Sequence, residues 1–302
     1  MRSEMAEDVF GPILDHVRAE PSRTWSIILT AYGDAIVPRG GCVWLGTLLS
    51  IFRGMDIADG VVRTAMSRLA GDGWLTRSKV GRNSFYSLAE KGRETFRRAE
   101  EHIYNPRPPV WEGYFDMALM DNGTAREAIR PVMREAGFGS PLPNVWIAPP
   151  GGEWPAVAMD AVRLRTTGDA QANRELAARS WALDEAADLY QRFCEAFAPL
   201  RQALSGGLKP GDLEALVARI LLIHEYRRIV LRAPSLPAEV LPPQWPGAEA
   251  RALCADVYGL LLPASERWLD KNAIGEDGAP LKAGRDIRRR FKNGGVSREG
   301  PA

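Results

Sequence analysis

The chain has few of the side chains on which metal sites and disulfide scaffolds depend: 302 residues hold three cysteines and three histidines. Cys42, Cys194 and Cys254 are odd in number and far apart, which excludes a disulfide framework and zinc-ligand spacing and points to a reducing compartment. His16, His102 and His224 have no metal-binding spacing, and the chain lacks a G-x-S-x-G elbow, a G-x-x-x-x-G-K-S/T loop and a G-x-G-x-x-G turn. Together these absences argue against hydrolase, nucleotide-hydrolysing and dinucleotide-binding enzymes. No run reaches the roughly 18 apolar residues of a membrane span. The first residues, MRSEMAEDVFGPILDHVRAE, mix acids into the apolar positions, unlike a signal peptide, so a cytoplasmic protein with no membrane partner is expected. Net charge is nearly absent too: at +1 the protein does not coat a polyanion along its whole surface, and any nucleic-acid site must be local.

What is present is ordinary globular material, 45% apolar and 25% charged, long enough for two or three domains with real cores. One stretch departs from the neutral background. From Gly60 to Tyr86 the basic residues Arg63, Arg68, Arg77, Lys79 and Arg82 face the single acid Asp72. The first part has helical spacing, with Val61, Ala65 and Leu69 on one face, Val62 and Met66 at its edge, and Arg63, Thr64, Ser67 and Arg68 on the other. Gly71 and Gly73 end it, and two β-like runs follow, 74–77 and 84–88, joined through Lys79, Gly81, Arg82 and Asn83. A short basic helix followed by a basic hairpin suits a polyanion.

Around this stretch the pattern predicts an amphipathic helix in residues 1–20 through Val9, Ile13, Leu14 and Val17, then helices at 23–32 and 45–52 with a short strand at 43–45. Asp56 or Asp59 is placed to cap the helix carrying Arg63. That order is the order of a winged helix-turn-helix, whose second motif helix enters the major groove. A charged helix at 89–104 and the prolines 106, 108 and 109 close the domain. Strands are expected at 113–120, 143–148 and 161–166, and a helix at 125–136, giving a small α+β domain with helices on one face of its sheet. The chain then turns helical from about Glu175, with long helices at 210–231 and 249–271 separated by a proline-rich loop around Leu241 and Trp245. Residues 272–302, with Arg288, Arg289 and Arg290, read as a disordered, solvated tail.

The words TAYGDAIVPRGGCVWLGTLL, VVRTAMSRLAGDGWLTRSKVGRNSFYSL, HIYN, WEGYFDMALM, AGFGSPLPNVWIAPP and LLLIHEYRRIVLRAPSLPAEVLPPQWPG stand in this order, and the chain to about Leu269 resembles the PaaX family of bacterial transcriptional regulators. The resemblance implies an α+β multidomain protein. It would comprise an N-terminal helical extension (1–20), a winged helix-turn-helix domain (21–105), a ferredoxin-like middle domain similar to that of Cas2 nucleases (110–172) and an all-helical C-terminal domain (173–271). It further implies a repressor of phenylacetate and related catabolic genes, with no cofactor. Such a repressor binds a palindromic DNA operator as a homodimer and leaves it when phenylacetyl-CoA or a related acyl-CoA effector binds.

Arg63 is the expected base reader, since an arginine bonds bidentately to guanine O6 and N7. Thr64 and Ser67 suit phosphates or thymine methyls, while Arg68 either joins them or pairs with an acid of a neighbouring helix. Arg77, Lys79, Arg82 and Asn83 are expected on phosphates or in a minor groove. His224, Arg227 and Arg228 share a helix face and suit the phosphates of an acyl-CoA, although bonding to Glu225 or the proline-rich loop is the more frequent fate of such groups. Trp181 and Trp245 suit either a core or an aromatic pocket, with the core favoured. The rival function is a metal-dependent nuclease in which Asp116 or Asp121 holds magnesium.

Overall fold

The structure, a computed structural model, describes residues 11, 13, 24–120, 126–284, 287 and 289–291. It is mixed α+β with two sheets, and it packs as two compact units. The first gathers Met1–Pro106, Arg192–Leu231 and Glu249–Ala302, the second Arg107–Gln191 and Arg232–Ala248. Their boundary after Pro106 falls in the proline-rich stretch 106–109. Of the expected N-terminal helix only Gly11 and Ile13 are described; both are helical and Ile13 is buried, and Val9, Leu14 and Val17 lie outside the described residues.

In the first unit helix α1 (Thr24–Ala31) runs into a π turn, Tyr32–Ile36, and a 3₁₀ turn, Val37–Arg39. Then come β1 (Cys42–Trp44), α2 (Leu45–Arg53), α3 (Asp59–Gly71), β2 (Leu75–Val80), β3 (Asn83–Leu88) and α4 (Glu90–Tyr104). Strand β3 is central and antiparallel to both neighbours, with Tyr86 opposite Val43 on one side and Arg77 on the other. Helix α3 buries Val62, Met66 and Leu69 against α1 and α2, whereas Val61, expected in the core, is 49% exposed. Val61 and Val62 lie only about 100° apart around a helix, so the sequence stripe admits either, and the neighbouring helices decide. Neither aspartate caps α3: Ala58 occupies the cap without a side-chain bond, Asp59 grips Arg53 at 2.6 and 2.8 Å, and Asp56 adopts φ 57° in the turn.

Helix α8 (Asp212–Val230) runs through this unit. It is buried on every side from Ala215 to Tyr226, as befits a helix apolar nearly all round, and it packs on α1, α2 and α4. Helices α7 (Leu183–Ser205) and α9 (Gly247–Asn272) both cross the boundary between the units.

Where α8 and α9 meet the π turn, the unit holds a buried ionic cluster. Asp34 Oδ2 accepts from Arg219 Nε at 2.7 Å. Its Oδ1 accepts from Tyr104 at 2.7 Å and from Tyr258 and Arg290 at 3.0 Å, and its carbonyl accepts from both guanidinium groups. Arg219 also reaches Glu266 (2.7 Å), which together with Asp270 holds Arg39. Burial opposes the charge on Arg219, but Asp34, Tyr258 and Glu266 more than offset it and raise its pKa.

The segment after α9 corrects the expectation of a disordered tail. Asn272 O accepts from Thr47 Oγ1 (2.6 Å), Ile274 O from the Trp44 amide at the edge of β1 (2.9 Å), and Pro38 O from the Gly284 amide (2.8 Å). Glu276 bonds Ser78 of β2. Arg290 is buried between Asp34 and Glu100, so its charge serves the core instead of solvent. A composition rich in glycine and charge shows neither outcome, because these partners lie 190 to 256 residues away. Arg288 and residues 292–302 lie outside the described residues.

The second unit carries β4 (Tyr114–Leu119), α5 (Arg126–Glu135), β5 (Gly139–Leu142), β6 (Val145–Ala148), β7 (Val162–Thr167) and α6 (Ala170–Ser180). Its sheet has the order β5-β6-β4-β7, antiparallel throughout. Strand β5 is hidden in the sequence by Gly139 and Pro141, which an edge strand with a register shift tolerates. The sheet is covered on both faces and not on one: Ala118 and Trp146 pack with Ile129, Met133 and Phe138, while Phe115 and Ile147 pack with Ala177, Leu183 and Leu236. Strand alternation demands it, since 115 and 118, like 146 and 147, point to opposite sides. Trp181 and Trp245 pack against the second of these clusters.

Removing Asp34 leaves two buried guanidinium groups without their shared carboxylate. Asp34→Ala is therefore expected to cost about 3–5 kcal/mol, read as a shift in the urea unfolding midpoint at unchanged slope. A loss below about 1 kcal/mol would show that water replaces the carboxylate.

Candidate nucleic-acid interface

Helix α3 presents Arg63, Thr64, Ser67 and Arg68 to solvent, because burial of Val62, Met66 and Leu69 turns the opposite side outward. Thr64 Oγ1 donates to Gly60 O at 2.9 Å. Arg68 faces Asp72 at 3.7 Å, at the end of its own helix and not on a neighbouring one, an exposed pair that a phosphate could displace at little cost. The Arg53 bond chiefly holds the Asp59 carboxyl below its usual range, with Arg63 adding to it.

The hairpin that follows has a two-residue tip, Gly81-Arg82, and Gly81 takes φ 59°, the positive value that the first central residue of a primed hairpin turn requires. Arg77 and Lys79 lie two apart on β2 and so share a face, while Arg82 and Asn83 stand at the tip; all four are exposed. Arg77 is pre-set, donating to Ser84 Oγ at 2.8 Å with its guanidinium 5.9 Å from the centre of the Tyr86 ring. The eight residues expected at a nucleic-acid site thus divide between one helix face and one hairpin of the same unit.

Two features of this surface escape sequence reasoning. Val61, assigned to the core, joins Trp25, Thr64 and Arg68 around a shallow cavity of about 370 Å³ beside the exposed face. An apolar group there suits a thymine methyl. Glu276 sets a carboxylate against the hairpin through Ser78, and no local pattern announces it.

The three residues expected to hold an effector go separate ways. His224 is fully buried and shares a hydrogen bond with Thr30 Oγ1 at 2.9 Å. Arg228 pairs with Glu225 at 3.2 Å. Arg227 donates to Ser26 O and Oγ at 3.0 and 2.8 Å and lines a cavity between α1, α4 and α8. Of the nuclease carboxylates, Asp116 faces Arg165 at 3.8 Å, with its pKa raised by burial, and Asp121 lies outside the described residues. Among the described residues no three His, Cys, Asp or Glu side chains converge to hold a metal ion.

Burial, helped by Arg227 and Arg228, pushes the His224 pKa from 6.5 down to about 3. A depressed folded value means that the unfolded chain binds the proton first, so stability is full above about pH 6.5 and falls as pH drops towards 3. The expected slope is about 1.4 kcal/mol per pH unit below 6.5. Unfolding midpoints at pH 7.0 and 5.5 should diverge in the wild type and converge in His224→Gln.

Among the described residues no helix is long and apolar enough to cross a membrane. Two family models match the chain, the PaaX-like protein over residues 23–92 and the PaaX-like protein C-terminal domain over 181–271. The transcriptional repressor PaaX of Escherichia coli (strain K12) is 34% identical over 283 residues, covering 87% of this chain and 89% of the relative. In structure the chain resembles an uncharacterized protein, Rv0674, from Mycobacterium tuberculosis, with a TM-score of 0.51 and 25% identity, over 74% of this chain and 89% of the other. The first matched block contains α3 and the basic hairpin, the second contains α8 and most of α9, and the chain belongs to the PaaX family of transcriptional regulators.

Proposed function

We propose that this protein is a cytoplasmic, sequence-specific repressor that binds double-stranded DNA, controls phenylacetate-type catabolic genes and leaves its operator when an aryl-acetyl-CoA such as phenylacetyl-CoA binds. The observation that carries the DNA-binding half is the exposed set Arg63, Thr64, Ser67 and Arg68 on α3 beside Arg77, Lys79, Arg82 and Asn83 on the hairpin. The order α1, β1, α2, α3, β2, β3 supports reading residues 21–105 as a winged helix-turn-helix, with α3 in the major groove and the hairpin as wing. The antiparallel order β5-β6-β4-β7 supports a ferredoxin-like reading of 110–172, with the 3₁₀ turn Ala156–Ala158 where that fold has its second helix. Helices α6 to α9 support the helical reading of 173–271, although the two compact units share these helices between them. The relative in Escherichia coli, named a transcriptional repressor, supports negative control. Repression of a palindrome calls for a homodimer that sets two α3 helices about one helical turn, or a multiple of it, apart.

In quantitative gel-shift titrations on the operator, Arg63→Ala should cost about 1–3 kcal/mol, roughly 5- to 150-fold, and blur the preference for one base pair. Lys79→Ala should instead weaken all sequences alike and reduce the salt slope by about one. If Arg63→Ala leaves operator affinity unchanged, α3 is not the reading helix. Added phenylacetyl-CoA should dissociate the wild-type complex; a complex that survives saturating thioester would remove the effector from the proposal.

A further inference from the structure

The cavity reached by Arg227 has the make-up of a ligand site. It encloses about 240 Å³ between α1, α4 and α8, and its walls are mostly apolar, with Val37, Phe96, Ile103 and Ile223 among them. Charge enters through Arg93, Arg97 and Arg227 on one side of the ledger, Asp34 and Glu100 on the other. Both acids are already engaged, Asp34 with Arg219 and Arg290, Glu100 with Arg290 at 2.9 Å. Arg93 is engaged too, with Glu90 at 2.8 Å and the Leu88 carbonyl. Arg227 is not fully satisfied: its Nη2 bonds Ser26, but its Nε is buried and has no partner among the described residues. A buried donor left without an acceptor carries its whole desolvation cost, so the space beside it favours a group that accepts hydrogen bonds. Burial and the neighbouring Arg228 both weigh against the Arg227 charge and lower its pKa to about 10, a cost that an anion at this place would relieve.

We infer that this cavity binds a small organic carboxylate, with an apolar body of about the size of one ring against Phe96, Ile103 and Ile223 and its carboxylate on Arg227 and Arg97. The site differs from that of a coenzyme A thioester, whose nucleotide is far too large for 240 Å³. It draws on α4, which starts two residues after the last strand of the hairpin, and on α8, so a bound carboxylate bridges the two helices.

Isothermal titration calorimetry on the full chain without DNA tests this whether or not the protein proves to read an operator. Phenylacetate should bind saturably with a Kd of about 1 mM or tighter, and phenylacetamide, of the same shape but uncharged, at least tenfold more weakly. Arg227→Gln should weaken phenylacetate at least tenfold, and Ala99→Phe, which fills the cavity without touching its charges, should abolish the heat. Thermal unfolding of each variant guards against loss of fold, and the acid-to-amide comparison stands on the wild type alone. The inference is overturned if phenylacetate gives no saturable heat, if the amide binds equally well, if Ala99→Phe binds as the wild type does, or if only phenylacetyl-CoA binds.

Discussion

One carboxylate, Asp34, sets the terms for the first unit. It is buried, it receives two guanidinium groups and two phenol hydroxyls, and each donor comes from a different part of the chain: α4, α8, α9 and the segment after α9. A buried charge is tolerated only when its partners are in place and their remaining donors are satisfied. Here that requirement extends outward, since Arg219 needs Glu266, Arg290 needs Glu100, and Glu266 shares Arg39 with Asp270. The π turn at Tyr32–Ile36, a rare local form, presents both the side chain and the carbonyl of Asp34 to the same two arginines. Replacing such a cluster by apolar groups is often neutral for stability, so its use here lies in geometry: the paired groups fix how these segments meet, even though the buried Nε of Arg39 has no hydrogen-bond partner among the described residues.

That arrangement puts the exposed basic surface under control of elements distant in sequence. Helix α8 touches α1, α2 and α4 at once, and Gly54, at the end of α2, sits where an added Cβ would come within 3.0 Å of Val217 on α8. The sheet that includes the hairpin is held by the segment after α9, through Ile274 at β1 and Glu276 at Ser78 of β2. Close-packed contacts of this kind transmit small displacements between the body of the unit and its exposed basic surface, because interiors do not yield like liquids.

Local structure was readable where local physics decides it. The basic helix, the second hairpin strand, the helices at 210–231 and 249–271 and three strands of the second sheet follow from periodicity and from Gly and Pro punctuation, within about two residues of their observed ends. The first hairpin strand instead runs three residues past its expected end, and the helical stretch expected from about Glu175 is two helices, α6 and α7, parted at Trp181 and Ala182. The eight residues expected at a nucleic-acid site could be named because residue type and helical or strand spacing alone put them outward. What stayed hidden depends on distant partners. Whether Val61 or Val62 is buried depends on α1 and α2, and whether Arg290 meets water or Asp34 depends on a residue 256 positions earlier. His224, Arg227 and Arg228 looked like one polar constellation because spacing ignores what lies opposite; Thr30, Ser26 and Glu225 divide them.

The span between Asp34 and Arg290 also has a meaning in time. Synthesis proceeds at about 5–20 residues per second, so Asp34 leaves the ribosome roughly 13 to 50 seconds before Arg290 can meet it. Through that interval the basic helix and hairpin are already made while Asp34 lacks one of its two guanidinium partners, so the ionic cluster of the first unit can close only late.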